Sequence, residues 1–145
     1  MTQEEKELLI KDIFGRVLTG IKVNYNGEIF TLGYNLYLED GNVAFESYPM
    51  KFYLENIEII KPYLRPMSSM TEEERNEYRK AVEKDFQILE DSLNASVAYM
   101  YADGMVVRDK PLFNEIDWLN KKGFDYRGLI PMGLALEAPK DMYKF

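Results

Sequence analysis

Two dipeptides, Asn26-Gly27 and Asp40-Gly41, constrain the fold of this chain more than any other feature. A two-residue hairpin of type I′ needs positive φ at both central positions, and Asn or Asp followed by Gly meets that need at low steric cost. Each turn also fixes a register. Closing the first sets Val23 opposite Phe30, Ile21 opposite Leu32 and Val17 opposite Leu36. Closing the second sets Leu38 opposite Val43 and Leu36 opposite Phe45. Phe30, Leu32, Tyr34, Leu36 and Leu38 share one parity, so both turns place apolar side chains on the same face of a shared middle strand. The pattern predicts a three-stranded antiparallel meander with one buried face. Residues 51–54 and 57–60, beyond Pro49, read as one or two further short strands. An open sheet and an SH3-like barrel both remain compatible with this set of strands.

Helical signals flank the strands. Thr2 with Glu5 forms a capping-box pattern, and Leu9, Ile10, Ile13 and Phe14 recur at helical spacing before Gly15, which predicts a helix over 1–15 covering the sheet. The β-meander then occupies 17–60. In KPYLRPMSSMTEEE, Pro62 and Pro66 cannot donate to a strand ladder, so 61–70 reads as an irregular connector. Thr71 with Glu74 opens a second helix over 71–93, with Tyr78, Val82, Phe86, Leu89 and Leu93 along one stripe. SVAYMY can pair with MVVR across Asp103-Gly104 as a hairpin over 97–108, the alternative being a longer helix. Pro111 begins a helix over 111–122, which Lys121 and Lys122 suit at its negative end and Gly123 closes. Residues 125–138 read as a short turn, capped by Asp125, and a tail; the terminal KDMYKF is expected to fray. The fold class expected is α+β. With no repeat, low-complexity tract or linker, 1–145 reads as one domain.

The composition removes whole classes of chemistry. The chain has no cysteine and 0 histidines, which excludes disulfides, thiolate nucleophiles, zinc–thiolate sites and Ser-His-Asp or Cys-His catalysis. Its 25 acidic against 18 basic residues, net −7, disfavour nucleic acid as a partner. No apolar run approaches the ~20 residues of a membrane span, and the N-terminus lacks the order of a signal peptide, so a cytoplasmic protein is expected. Asp103, Asp109, Asp117 and Asp125 are the carboxylates that could act as an acid–base pair or hold Mg²⁺. A turn already explains Asp103 and a cap explains Asp125. The expectation is a protein without catalytic residues, cofactor or metal. Its binding residues would be Lys61, Tyr63 and Arg65 together with Tyr126 and Arg127, because both segments are basic, aromatic and hard to bury completely. The surplus of 11 tyrosines also suits an interface, either with another protein or with a second copy as a homodimer. A small nucleotide ligand, gripped by the same arginines, and a carboxylate- or metal-dependent enzyme are the alternatives.

Three stretches, MTQEEKELLIKDI, IEIIKPYLRPMSSMTEEE and DWLNKKGFDYRGLIPMGLALEAP, resemble a group of uncharacterised small proteins of gut anaerobic bacteria and their phages and mobile elements. That group has no established activity. The resemblance implies an accessory protein of a phage or mobile element, in the host cytoplasm if phage-encoded, that interferes with a host process or defence. Members of the group often carry Ala-His-His where this chain has Lys121-Lys122-Gly123, so no role of those histidines carries over.

Overall fold

The computed structural model describes residues 1–33, 36–39, 42–47, 50–93 and 113–144; for 36–39, 42–47, 50–52, 54–55 and 88–93 it is the backbone that is described. The chain divides into two compact units, Met1–Ser69 with Asn120–Phe145, and Met70–Leu119. The first unit is therefore built from two separate lengths of chain.

In the first unit, α1 spans Gln3–Gly15. Its start is the expected capping box: Glu5 N–H donates to Thr2 Oγ1 at 3.1 Å and Thr2 N–H donates to Glu5 Oε2 at 2.8 Å. Arg16 is the C-cap residue, and turns through Gly20, at φ +76°, carry the chain into β1, Lys22–Tyr25. The Asn26-Gly27 turn has positive φ at both positions, 51° and 89°, and returns the chain as β2, Glu28–Thr31. Val23 faces Phe30 as the turn chemistry requires, and Leu32 N–H still donates to Ile21 O at 2.8 Å.

The shared middle strand does not form. The chain leaves the first sheet after Leu32, and β3 (Leu36–Glu39), β4 (Asn42–Ser47) and β5 (Met50–Tyr53) make a separate three-stranded antiparallel sheet. Leu36 pairs with Phe45 and Leu38 with Val43, so the local register holds, while Val17 lies in the turns before β1 and has no partner at Leu36. A shared middle strand needs an unbroken period of two through Gly33, a residue with no side chain to pack in a strand interior. Tyr34, Asp40, Gly41 and Pro49 lie outside the described residues.

Residues 54–59, partly expected as strand, form a 3-10 segment, Leu54–Ile59, that touches α1, β4, β5 and β6. The strand β6, Ile60–Leu64, then runs through the first half of the expected connector. Pro62 is tolerated because it falls where the strand changes partners: pairing with β1 covers Tyr25↔Ile60 to Val23↔Pro62, and parallel pairing with β7 (Leu136–Glu137) begins at Tyr63. A residue that cannot donate costs least at such a junction. The four-stranded sheet, order β2-β1-β6-β7, is mixed and open, so the fold is α+β and the barrel alternative falls. Leu9 and Ile13 of α1, Val23, Ile60 and Leu64 of the sheet, and Leu129, Leu134 and Ala135 of the C-terminal length form one core. The tail is docked, because Tyr143 packs on this core rather than fraying.

In the second unit, α2 (Glu72–Leu93) starts with the expected reciprocal bonds between Thr71 and Glu74, at 3.1 and 3.2 Å. The helix α3 (Phe113–Lys122) follows the residues that are not described, and the boundary between the units falls within it. The expected hairpin over 97–108, with Asp103 and Asp109, lies outside the described residues, as do Pro111 and Leu112. Asp85 of α2 is fully buried and accepts bonds from the Asn114 N–H, the Asn114 amide and the Glu115 N–H, each at 2.8 Å. A carboxylate thus satisfies two of the orphan donors at the N-terminus of α3. Tyr78 donates to Glu115, and Trp118 Nε1 donates to Glu77 at 3.2 Å. Among the described residues no helix is long and apolar enough to cross a membrane.

Candidate functional site

The two segments singled out in the sequence are brought together. Arg65 N–H donates to Gly123 O at 2.7 Å, and Asp125 N–H donates to Arg65 O at 2.8 Å, so the end of β6 lies beside the chain that leads into Tyr126 and Arg127. The alternation of β6 buries Ile60, Pro62 and Leu64 and leaves Lys61 and Tyr63 half-buried on the other face.

Most of the singled-out side chains have internal partners. Tyr63 accepts a bond from Asn24 Nδ2 at 3.1 Å, and its carbonyl accepts one from Tyr143 Oη at 2.7 Å. The Arg65 guanidinium sits 4.2 Å from the centre of the buried Phe124 ring, and its Nη1 donates to the carbonyl of Lys122 at 3.2 Å. That carbonyl belongs to the last turn of α3, where a cation is favoured. Tyr126 Oη donates to Asn120 Oδ1 at 2.9 Å and accepts from Arg127 Nη2 at 3.2 Å. Burial pushes the Tyr126 phenol above its usual pKa, against the opposing pull of Arg127 and Arg16. Lys61 alone of the five has no side-chain bond among the described residues.

Beneath this seam lies a cluster that sequence reasoning missed. Asp12 and Arg16, one helical turn apart, are both 0% exposed. Arg16 Nε donates to Asp12 Oδ2 at 2.9 Å, and its Nη2 donates to Asp12 Oδ1 at 3.0 Å and to the Phe124 carbonyl at 2.7 Å. Arg127, whose side chain is 24% exposed, brings a second guanidinium to the same carboxylate, with Nε 3.3 Å from Asp12 Oδ1. The Tyr126 ring centre lies 5.3 Å from the Arg16 guanidinium and 5.0 Å from that of Arg127. The oxygens of the neighbouring, buried Asp125 accept the Leu129 and Ile130 N–H groups at 2.8 and 2.9 Å, as the cap expected of it. Asp12 and Arg16 at spacing i, i+4 are legible in the sequence, but nothing local distinguishes them from a solvated pair.

Of the carboxylates considered for catalysis, Asp125 is committed to backbone donors and Asp117 is exposed on α3. Among the described residues no group of three or more Asp or Glu could hold a metal ion. No protein-family model matches the chain, no curated protein matches it in sequence, and no solved structure matches it.

Proposed function

We propose that this protein acts by binding another protein and not by catalysis, using the seam where Lys61, Tyr63 and Arg65 meet Tyr126 and Arg127. The observation that supports this reading is the juxtaposition itself: two basic, aromatic segments, each irregular at least in part, share backbone hydrogen bonds through Arg65. All five side chains are partly exposed, and aromatic and arginine side chains held rigid by internal contacts lose little entropy on binding. The setting proposed, from the sequence resemblance, is an accessory protein of a phage or mobile element.

The test is affinity capture from host lysate with the wild type beside Lys61→Glu, with light scattering of the purified protein to detect self-association. Lys61 is the residue to reverse, because Arg65 and Arg127 hold internal contacts whose loss would itself disturb the fold. A specific partner should be captured at least ~10-fold less well by the variant, about 1.4 kcal/mol, with unchanged thermal stability. Capture that is equal in the two proteins removes the seam from consideration.

A further inference from the structure

The two faces of the four-stranded sheet differ in charge. One carries Val23, Ile60 and Leu64 into the core. The other, set by the alternate residues, carries Ile29 and Thr31 on β2, Lys22 and Asn24 on β1, and Lys61 and Tyr63 on β6. Two cross-strand bonds place these side chains on one side: Lys22 Nζ donates to Thr31 Oγ1 at 3.0 Å, and Asn24 Nδ2 donates to Tyr63 Oη at 3.1 Å. The four strands hold two carboxylates, Glu28 and Glu137, and both take the core-side parity, that of Phe30 and Leu64. The outer face therefore presents two cations and no anion of its own, on a chain whose net charge is −7. Tyr63 Oη accepts from Asn24, which leaves its own O–H as a donor, and the Lys61 ammonium stands two residues away on the same strand. Ile29 and Lys61 flank Asn24 in one row across the sheet, and Ile29 is 53% exposed.

We propose that this face docks an acidic segment of a partner protein. One carboxylate accepts from Lys61 and Tyr63, a second meets Lys22, and an aliphatic side chain covers Ile29. Charge complementarity selects that occupant: like charges on neighbouring strands of one face repel, and an anion laid across them relieves the repulsion. At physiological ionic strength charges beyond about 8 Å are largely screened, so the face decides what docks more than the net charge of the chain does. A nucleic acid fits less well, because two cations neutralise few phosphates and Tyr63 is the one aromatic side chain on β1, β2 or β6 that this face offers for stacking. The inference rests on the protein-binding reading for Lys61 and Tyr63, gives the partner its chemistry, and extends the surface to Lys22 and Ile29.

The experiment titrates the ¹⁵N-labelled full chain with a synthetic peptide of alternating glutamate and valine, following backbone amide signals by NMR. A peptide of alternating lysine and valine and a short oligothymidylate are the parallel arms. The glutamate peptide should move the amides of residues 22–24, 29–31 and 61–63 along one saturable curve, with a Kd of ~1 mM or tighter. In the double variant Lys22→Glu, Lys61→Glu that Kd should rise at least ~10-fold, since two attractive pairs become repulsive. Because the mapping on the wild type needs no variant, a folding defect in the double variant leaves it decisive. Amides that stay still with the glutamate peptide, an equal response to the lysine peptide, or a Kd unchanged in the variant would overturn the proposal. A response to oligothymidylate alone would overturn it in favour of nucleic acid. The protein-binding reading fails separately: lysate capture unaffected by Lys61→Glu would remove the seam, whereas capture lost in that variant without any response to the glutamate peptide would keep the seam and discard the acidic partner.

Discussion

Replacing Tyr143 by Phe removes one oxygen that serves two strands. Tyr143 Oη donates to the Tyr63 carbonyl of β6 at 2.7 Å and accepts from the Lys22 N–H of β1 at 2.9 Å. At neutral pH the substitution leaves two backbone groups without that partner, and the expected loss is ~1–3 kcal/mol. The dependence on pH is more diagnostic. Burial pushes the Tyr143 phenol up to about 12, the hydrogen bond from Lys22 pulling the other way, whereas a tyrosine in the unfolded chain ionises near 10. Below pH 10 both states hold the proton and the pH leaves the balance unchanged. Between 10 and 12 the unfolded state releases it first, so stability falls as pH rises, by at most ~2.7 kcal/mol over two units at ~1.4 kcal/mol each. The Phe variant has no such group. The stability gap between wild type and Tyr143→Phe should therefore be widest at pH 7–9 and should close progressively above pH 10. Urea denaturation followed by circular dichroism at pH 7, 9, 10, 11 and 11.5 measures this directly. A gap that stays constant across the series would refute the assignment of the raised pKa to this docked hydroxyl.

Two further substitutions probe the framework. Asp85→Ala should destabilise the protein by ~2–3 kcal/mol, since it strips a buried acceptor from two amides at the start of α3, with Asp85→Asn costing less; equilibrium denaturation would show both. Gly123→Ala forces a side chain into φ +78°, where its Cβ would also lie 3.5 Å from Ile21 and 3.6 Å from Tyr143; a loss of ~1–2 kcal/mol is expected from the left-handed backbone alone, read as a lower Tm.

What the sequence shows well is whatever short-range physics decides. The capping boxes at Thr2 and Thr71, the turn at Asn26-Gly27, the pairing of Leu36 with Phe45 and the end of α3 at Gly123 each depend on residues no more than ten apart, and each forms as expected. The alternation of IKPYL is equally visible, but Pro62 within it and Pro66 beyond it signal a connector. Nothing local could announce that Tyr63 would find a parallel partner in Leu136. The splitting of the meander has the same cause, because parity states which face a residue occupies and not which sheet it joins. The functional residues divide along this line too. Lys61, Tyr63, Arg65, Tyr126 and Arg127 stand out by type, whereas Asp12 and Arg16 become distinctive only through burial and through a carbonyl 108 residues away.

The divided first unit also bears on the order of events during synthesis. The C-terminal length supplies Leu129, Leu134 and Ala135 to the core, β7 to the sheet, and the Phe124 carbonyl to Arg16. While the ribosome is still adding those residues, the nascent chain carries α1, β1, β2 and β6 with one side of β6 unpaired and the Arg16 guanidinium lacking that carbonyl. Pairing partners this distant in the chain close slowly, because the loop between them must be ordered first. Residues 72–93 emerge during this interval with their own helix cap already in hand. The length Asn120–Phe145 thus acts as the clasp that completes a unit whose other part, Met1–Ser69, was translated before it.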